Sequence, residues 1–171
     1  MYPLRKKQTP FQWKTSNGDK VLVWNGEHYM LGNVLGLVPN QELEYITDNK
    51  RNKNLTQEQN CLKRITDYLN GLSEDGYPYD FIPVMLSGLV TDNAPPNPEI
   101  IPWINHLNKI LDETVHIEMI GLSDFFENVR TNCPNIPVYS GDWPDWWADG
   151  VGSTPAATNY FAKLKGHTKQ Y

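Results

Sequence analysis

The chain has 171 residues, which is enough for one ordinary domain with a hydrophobic core. Hydrophobic residues make up 39%, charged residues 20%, and the net charge is −5, so the composition indicates a soluble globular protein. The acidic balance argues against a nucleic-acid surface, because the basic residues are scattered apart from short runs at 5–7 and 50–53. No apolar run approaches the ~18 residues of a membrane span, and the first ten residues lack the apolar core of a signal peptide.

A β-hairpin is the first predicted element. The dipeptide Asn17-Gly18 is typical of a type I′ turn, and Trp13, Val21 and Val23 occupy alternating strand positions beside it. The glycine-rich segment 25–40 that follows has no clear hydrophobic period, so it is predicted to be irregular.

Helices and apolar strands are predicted to alternate after residue 55. The first helix begins at Thr56 in a capping-box pattern with Gln59, and its apolar stripe is Leu62, Ile65, Leu69 and Leu72. The second begins at Asn97-Pro98, and its inner face is Ile100, Trp103, Ile104, Leu107 and Leu111. Ser123 caps a third, short helix, and Thr154-Pro155 begins a last one with Tyr160, Phe161 and Leu164 inside. Apolar strands are predicted at 80–86, 114–120 and 136–139.

This order of elements predicts the fold class. Strands that alternate with helices favour an α/β fold with a largely parallel sheet and right-handed crossovers. Three strands and a hairpin are few for a closed barrel, so residues 1–171 are predicted to be a single segment of a larger sheet. Function collects at the carboxyl ends of parallel strands, where loops at 88–97, 121–124 and 141–150 are expected.

The segment 141–153, GDWPDWWADGVGS, combines aromatic and acidic residues in one predicted loop. Tryptophan faces can bind the C–H faces of sugars, and carboxylates can accept hydrogen bonds from hydroxyls or act as acid and base on a glycosidic bond. The residues concerned are Trp143, Trp146, Trp147, Asp142, Asp145 and Asp149. The alternative is structural: the tryptophans fill a core, and the aspartates cap the loop and the next helix.

Two other pairs of residues are candidate sugar contacts. Asp92-Asn93 follows a predicted strand, although Asp-Asn before Ala-Pro-Pro is also ordinary turn chemistry. His28 and Tyr29 lie where the hairpin gives way to the glycine-rich segment, and an imidazole beside an aromatic ring could serve a pocket.

Neither a metal site nor a disulfide framework is expected within the chain. No two histidines have zinc-ligand spacing, and the pattern His-x-Asp does not occur. Cys61 and Cys133 are too few for a framework, and two buried free thiols are favoured over a single bridge.

Three stretches carry a resemblance to a known family: PFQWKTSNGDKVLVW at 10–24, LSGLVTDNAPP at 86–96, and SGDWPDWWADGVGSTP at 140–155. They resemble the later part of the catalytic domain of glycoside hydrolase family 38, the retaining α-mannosidases, and are closest to uncharacterised bacterial relatives. The first is similar to the family's segment after the nucleophile, the second to a loop after a barrel strand, and the third to a late acidic and aromatic segment, shortened here. The resemblance covers most of residues 10–165.

The resemblance implies part of an irregular β/α barrel with mostly parallel strands, preceded by the hairpin. It implies hydrolysis of α-mannosides through a zinc-assisted covalent intermediate in a longer parent protein. The nucleophile and the zinc ligands would lie outside this chain, so the chain alone is expected to be inactive and to have the rest of the barrel as its partner. Asp149, then Asp142, would be the acid or a direct sugar contact. The sugar-binding residues would be His28, Tyr29, Asp92, Asn93, Trp143, Trp146 and Trp147.

Two further hypotheses fit the same residues. One is a non-catalytic carbohydrate-binding domain that uses the 141–153 loop as its platform. The other is a partial barrel like that of polysaccharide deacetylases, which would release acetate rather than cleave a glycosidic bond. A segment of a barrel would also expose apolar sheet edges, so the isolated chain is expected to self-associate.

Overall fold

A computed structural model describes residues 8–39, 52, 54–88, 95–111, 114–141 and 155–168. In these ranges the chain is a mixed α/β protein with a three-stranded mixed sheet. The strands are β1 (Thr9–Lys14), β2 (Lys20–Asn25) and β3 (Val138–Ser140). The helices are α1 (Leu31–Leu35), α2 (Gln57–Glu74), α3 (Ile100–Leu111), α4 (Leu122–Asn132) and α5 (Pro155–Thr168).

The predicted hairpin is confirmed, but its turn is of another kind. β1 and β2 pair antiparallel from Thr9 opposite Asn25 to Lys14 opposite Lys20. A type I′ turn needs a positive φ at both central residues. Gly18 has a φ of +93°, whereas Asn17 does not have a positive φ. The Gly18 N–H donates to the carbonyl of Thr15, so the connection is a longer loop with one left-handed glycine.

β3 lies on the other side of β1 and runs parallel to it. The sheet order is β2-β1-β3, and Gln12, Trp13 and Lys14 pair with Val138, Tyr139 and Ser140. The Gln12 N–H also donates to the Pro137 carbonyl at 2.8 Å, just before the strand begins. The predicted strand at 136–139 is therefore present, one to two residues later than expected, at Val138–Ser140.

The first two predicted helices form, although the second, α3, begins at Ile100 rather than at Asn97-Pro98. Thr56 caps α2: its side chain accepts from the Gln59 N–H, and the Gln59 side chain accepts from the Thr56 N–H. Leu62 and Leu69 of the predicted stripe pack against a core cluster that contains Ile65. The predicted inner face of α3 is also confirmed: Ile100, Ile104 and Leu107 are buried, and Trp103 and Leu111 pack against the core.

Three predictions about helices were wrong. The segment after the hairpin is not wholly irregular, because Leu31–Leu35 forms α1, which ends at Gly36 with a φ of +90°. The N-cap of α4 is Gly121 rather than Ser123, and no side chain caps it. Helix α5 does not bury Tyr160 or Leu164, which are 68% and 48% exposed. Tyr160 and Leu164 therefore lack the core that their spacing predicted.

The predicted strands at 80–86 and 114–120 do not form strands: residues 80–86 and 114–120 contain neither helix nor strand. Amide side chains bind the backbone of Ile117 in the second segment and of Ser87, the residue directly after the first. Asn108 Nδ2 donates to the Ile117 carbonyl at 2.7 Å, and Asn108 Oδ1 accepts from the Ile117 N–H at 2.9 Å. Asn33 pairs with the backbone of Ser87 in the same way, with both bonds between 2.9 and 3.1 Å. The apolar pattern predicted buried strands, but residues 81–84 and 86 are only half-buried, and Met85, Met119 and Ile120 are exposed. An amide side chain occupies the place of a neighbouring strand.

The core of the described residues has an aliphatic part and an aromatic part. The aliphatic part lies between α1, α2 and α3, around Leu35, Cys61 and Leu107. The aromatic part lies between β2 and α4, where the Trp24 ring meets the Phe81 ring at 5.6 Å and the Phe125 ring at 5.4 Å. Among the described helices, none is long and apolar enough to cross a membrane.

Candidate functional site

The structure describes two of the nine predicted site residues. Asp142, Trp143, Trp146, Trp147 and Asp149 lie outside the described residues, as do Asp92 and Asn93. His28 and Tyr29 are described and exposed. The candidate site is therefore described from the residues that adjoin the segments 89–94 and 142–154, and from His28 and Tyr29.

The aromatic and acidic segment begins at a fixed point on the sheet. Trp13 stands on β1 opposite Tyr139 of β3, and its indole Nε1–H donates to the Gly141 carbonyl at 2.9 Å. Gly141 has a φ of +116°, in the region that favours glycine. The chain thus leaves β3 beside the Trp13 ring, directly before Asp142. Trp13 is itself 38% exposed, so part of its ring remains open to solvent.

The hairpin carries a cavity of about 340 Å³. Its lining residues are Phe11, Trp13, Val23, Trp24 and Asn25. Phe11 is opposite Val23, and Trp13 and Asn25 are on the same face, whereas Trp24, opposite Pro10, belongs to the other face. The wall is almost entirely apolar, with the Asn25 amide as its polar group. It can hold a ligand with both apolar and hydroxyl-bearing faces, and none of its five lining residues is an acid or a base.

His28 and Tyr29, which follow Asn25 by three and four residues, form a stacked pair. Their ring centroids are 4.2 Å apart and the ring planes are inclined by 29°. The Met30 N–H donates to His28 Nδ1 at 3.2 Å, and the Leu31 N–H donates to the His28 carbonyl at 2.9 Å. These bonds attach the pair to the start of α1.

The structure does not bring His28 and Tyr29 to the place where the 142–153 segment begins. Asn25, three residues before His28, is opposite Thr9, whereas Ser140 is opposite Lys14. The five residue-to-residue steps from Thr9 to Lys14 separate these ends by about 17 Å at the rise of a β-strand. Asn25 and Ser140 therefore lie at opposite ends of the sheet.

Helix α1 joins the His28 end to the chain that precedes Asp92-Asn93. The Gly32 N–H donates to the Met85 carbonyl at 2.8 Å, and Asn33 pairs with Ser87. A Cβ on Gly32 would lie 2.7 Å from the Cβ of Leu86, so this close approach requires glycine. Asn33 is fully buried, so its hydrogen bonds to Ser87 are shielded from water.

A second buried amide supports the sheet and was not found from the sequence. Gln8 is 0% exposed; its Nε2 donates to the Tyr68 hydroxyl at 2.9 Å, and its Oε1 accepts from Trp24 Nε1 at 2.8 Å. Burial raises the pKa of Tyr68 above its usual value, which keeps the hydroxyl neutral. Gln8 has a φ of +56°, a strained conformation for a non-glycine residue. No local pattern in the sequence marks this residue.

The two cysteines are buried free thiols, as expected. Burial raises the pKa of Cys61 to about 12, and burial also raises the pKa of Cys133. The thiolate is the reactive form of cysteine, so neither residue is suited to be a nucleophile.

The described residues do not form the zinc site that the resemblance implies for the parent. Within them, no three or more His, Cys, Asp or Glu side chains are grouped so that they could hold a metal ion. The resemblance itself places the zinc ligands outside this chain, so zinc stays a prediction about the longer parent protein.

Comparisons with known proteins give no relative. No family model matches the chain. No curated protein matches it, and no solved structure matches it. The function is therefore argued from the surface around Trp13 and from the sequence.

Proposed function

We propose that the chain binds carbohydrate in the cavity beside Trp13. The observation that carries the proposal is the hydrogen bond from Trp13 Nε1 to the Gly141 carbonyl, 2.9 Å long. This bond places a half-open tryptophan ring next to the start of a segment that contains three more tryptophans and three aspartates. Tryptophan and carboxylate together match the two kinds of surface that a sugar presents, C–H faces and hydroxyls.

The size and chemistry of the cavity support a small ligand. Its volume of about 340 Å³ lies at the lower end of the ~300–1,000 Å³ typical of ligand pockets. Phe11 forms a floor that is 1% exposed, and Asn25 supplies an amide, a group that can both donate to and accept from a hydroxyl. A purely apolar ligand would match only the apolar walls, whereas a sugar matches both kinds of wall.

We further propose that the chain performs this binding as part of a glycosidase that acts on α-mannoside-type bonds. The three stretches that resemble glycoside hydrolase family 38 support this proposal, and in it Asp149 or Asp142 is the acid. The same resemblance makes the fold part of an irregular β/α barrel with mostly parallel strands. The parallel pairing of β1 with β3 and the alternation of extended segments with helices are compatible with such a barrel.

A non-catalytic carbohydrate-binding domain is the second candidate. The observation that favours it is the cavity wall itself, whose five lining residues contain no acid or base. Both candidates predict sugar binding by the 171-residue chain, and only the first predicts hydrolysis by the parent protein.

Binding can be tested by titrating the chain with methyl α-mannoside while tryptophan fluorescence is recorded. Trp13→Ala is expected to abolish measurable binding, and Trp13→Phe, which keeps a ring but loses the N–H, is expected to weaken it. Trp103→Phe is the matched control, because Trp103 Nε1 also donates to a glycine carbonyl at 2.9 Å, that of Gly36, away from the cavity. Unchanged affinity in Trp13→Ala would reject the proposed site.

The glycosidase proposal needs a separate assay. The parent protein is expected to hydrolyse an aryl α-mannoside, and a chelator is expected to abolish the activity. Hydrolysis of no aryl glycoside, together with sugar binding by the chain, would favour the non-catalytic domain. Release of acetate from an acetylated polysaccharide would favour the deacetylase hypothesis instead.

A further inference from the structure

The dipeptide Asn-Gly occurs three times in the chain, at Asn17-Gly18, Asn25-Gly26 and Asn70-Gly71. In this dipeptide the backbone nitrogen of glycine can attack the side-chain amide carbon of asparagine, because glycine has no Cβ to obstruct the approach. The three copies lie in a loop, at the end of a strand and inside a helix. The fold therefore leaves them with different freedom to react.

Asn17 and Gly18 lie in the loop between β1 and β2, and both are exposed. Apart from chain neighbours, no heavy atom of the described residues lies within 4 Å of the position that a Cβ on Gly18 would take. The Gly18 N–H donates to the Thr15 carbonyl at 3.1 Å. This is a single bond in an exposed loop, so water can replace it at little net cost and release the nitrogen for reaction.

Asn70 and Gly71 lie inside α2 (Gln57–Glu74), where the backbone N–H of Gly71 belongs to the i→i−4 ladder of the helix. Ring closure would consume this N–H. The Asp75 N–H donates to the Gly71 carbonyl at 3.0 Å, so helical bonding continues past the dipeptide. Asn70 is exposed, as Asn17 is, so the two sites differ in backbone and not in access to water. Reaction at Asn70 therefore requires local opening of α2.

Asn25 ends β2 and is opposite Thr9 on the central strand β1. Asn25 and Gly26 are half-buried, and a Cβ on Gly26 would lie 3.6 Å from Cδ1 of Trp24. Reaction at Asn25 requires the end of the sheet to open, so this site is also expected to be slower than Asn17.

We propose that Asn17 is a site of spontaneous deamidation in the folded protein, and that the sheet protects Asn25 and α2 protects Asn70. The Gly18 nitrogen forms a bond to Asn17 Cγ and gives up its proton, while the Cγ–Nδ2 bond breaks and ammonia leaves. Water then opens the cyclic imide on one side to aspartate, or on the other to isoaspartate, whose backbone runs through Cγ. The net reaction turns an amide and water into an acid and ammonia, without oxidation or reduction. This inference does not rest on the proposed function.

Either product changes the charge at the end of the hairpin. Lys14 is directly opposite Lys20, and the loop that joins them contains Asn17. Like charges that are directly opposite repel each other, so a carboxylate in this loop is a countercharge. The added negative charge also allows ion exchange to separate the modified chain from the unmodified one.

The experiment incubates the folded chain in mildly alkaline buffer and follows each Asn-Gly pair by peptide mass spectrometry, which detects the conversion of an amide to an acid. The chain unfolded in guanidinium chloride supplies the reference rates, which are expected to be similar for the three pairs. In the folded chain Asn17 is expected to react at least about tenfold faster than Asn70, a ratio that corresponds to a helix opening free energy of about 1.4 kcal/mol.

Two matched variants identify the residue responsible. Asn17→Gln lengthens the side chain so that the same ring cannot form, and it is expected to abolish the main acidic species seen by ion exchange. Asn70→Gln, the same change on α2, is expected to leave that species unchanged. Equal rates at Asn17 and Asn70 in the folded chain would overturn the proposal. So would faster reaction at Asn25 than at Asn17, or an acidic species that persists undiminished in Asn17→Gln.

Discussion

The sheet and the extended segments beside it satisfy their backbone hydrogen bonds by different means. In β1, β2 and β3 the partners are other strands, in a regular register from Thr9 to Lys14. In the segments around Ser87 and Ile117 the partners are the side chains of Asn33 and Asn108. An amide side chain has the same donor and acceptor as a peptide group, so it can take the place of one residue of a neighbouring strand. The comparison shows that an apolar run does not by itself make a strand, because the residues of both segments are half-buried or exposed and pair with an amide side chain instead of a strand.

The variant with the largest expected effect on stability removes the buried ring of Phe11 on β1, the central strand of the sheet. Phe11 is 1% exposed, and its ring lies 5.9 Å from that of Tyr139 on the neighbouring strand. Phe11→Ala is expected to lower the free energy of unfolding by about 3–5 kcal/mol, as the loss of a buried aromatic residue usually does. Urea denaturation measures the change. Val21→Ala, at a position on the same face that is 53% exposed, is the control and should cost less than about 1 kcal/mol. Similar losses in the two variants would show that the Phe11 face is not a core.

The second test removes the two hydrogen bonds between the Asn108 side-chain amide and the backbone of Ile117. Asn108→Ala leaves the N–H and the carbonyl of Ile117 without their partner, and this is expected to cost about 1–3 kcal/mol. Asn105→Ala is the matched control, because Asn105 is an exposed asparagine on the same helix and should change stability by less than about 0.5 kcal/mol. Urea denaturation of both variants compares them directly. If Asn108→Ala were as stable as Asn105→Ala, water would replace the Asn108 amide without cost. The two hydrogen bonds from Asn108 would then not stabilise the segment around Ile117.

The sequence predicted the elements whose cause is local. The capping box of Thr56 and Gln59, the inner face of α3 and the hairpin all depend on residues within a few positions of one another, and all are confirmed. The buried thiols were also expected from composition and spacing. In each case the pattern and its physical cause lie in the same short stretch.

Two of the predictions that failed, the strand at 80–86 and the buried face of α5, depend on contacts between distant residues. Asn33 meets Ser87 across 54 positions and Gln8 meets Tyr68 across 60, so no local pattern could show that amides would replace strand partners. The face of α5 has helical spacing, but whether it is buried depends on what packs against it. For the candidate site, the prediction that His28 and Tyr29 contact a sugar stays a prediction, and the distance along the sheet between Asn25 and Ser140 depends on the strand register.

The variant with the smallest expected effect on stability adds a side-chain cap at the start of α4, which has none. Helix α2 is capped by the Thr56 hydroxyl, whereas α4 begins at Gly121 with no side-chain cap. Gly121 has the extended backbone of an N-cap, with φ −76° and ψ 155°, so serine fits there without strain. Gly121→Ser is expected to raise the free energy of unfolding by a few tenths of a kcal/mol, measured by urea denaturation.

Gly121→Ala separates the two causes of that gain. Both substitutions add a Cβ that would lie 3.3 Å from Asp124 Oδ2, the end of a flexible side chain, and both reduce the freedom of the unfolded chain. Only serine adds an oxygen that can accept from the free N–H groups of the first turn, so serine should exceed alanine by about 0.5–2 kcal/mol. Equal stability of the two variants would mean that these N–H groups gain nothing from a side-chain acceptor. The principle that explains Asn33 and Asn108, a side chain completing the backbone, would then not extend to the start of α4.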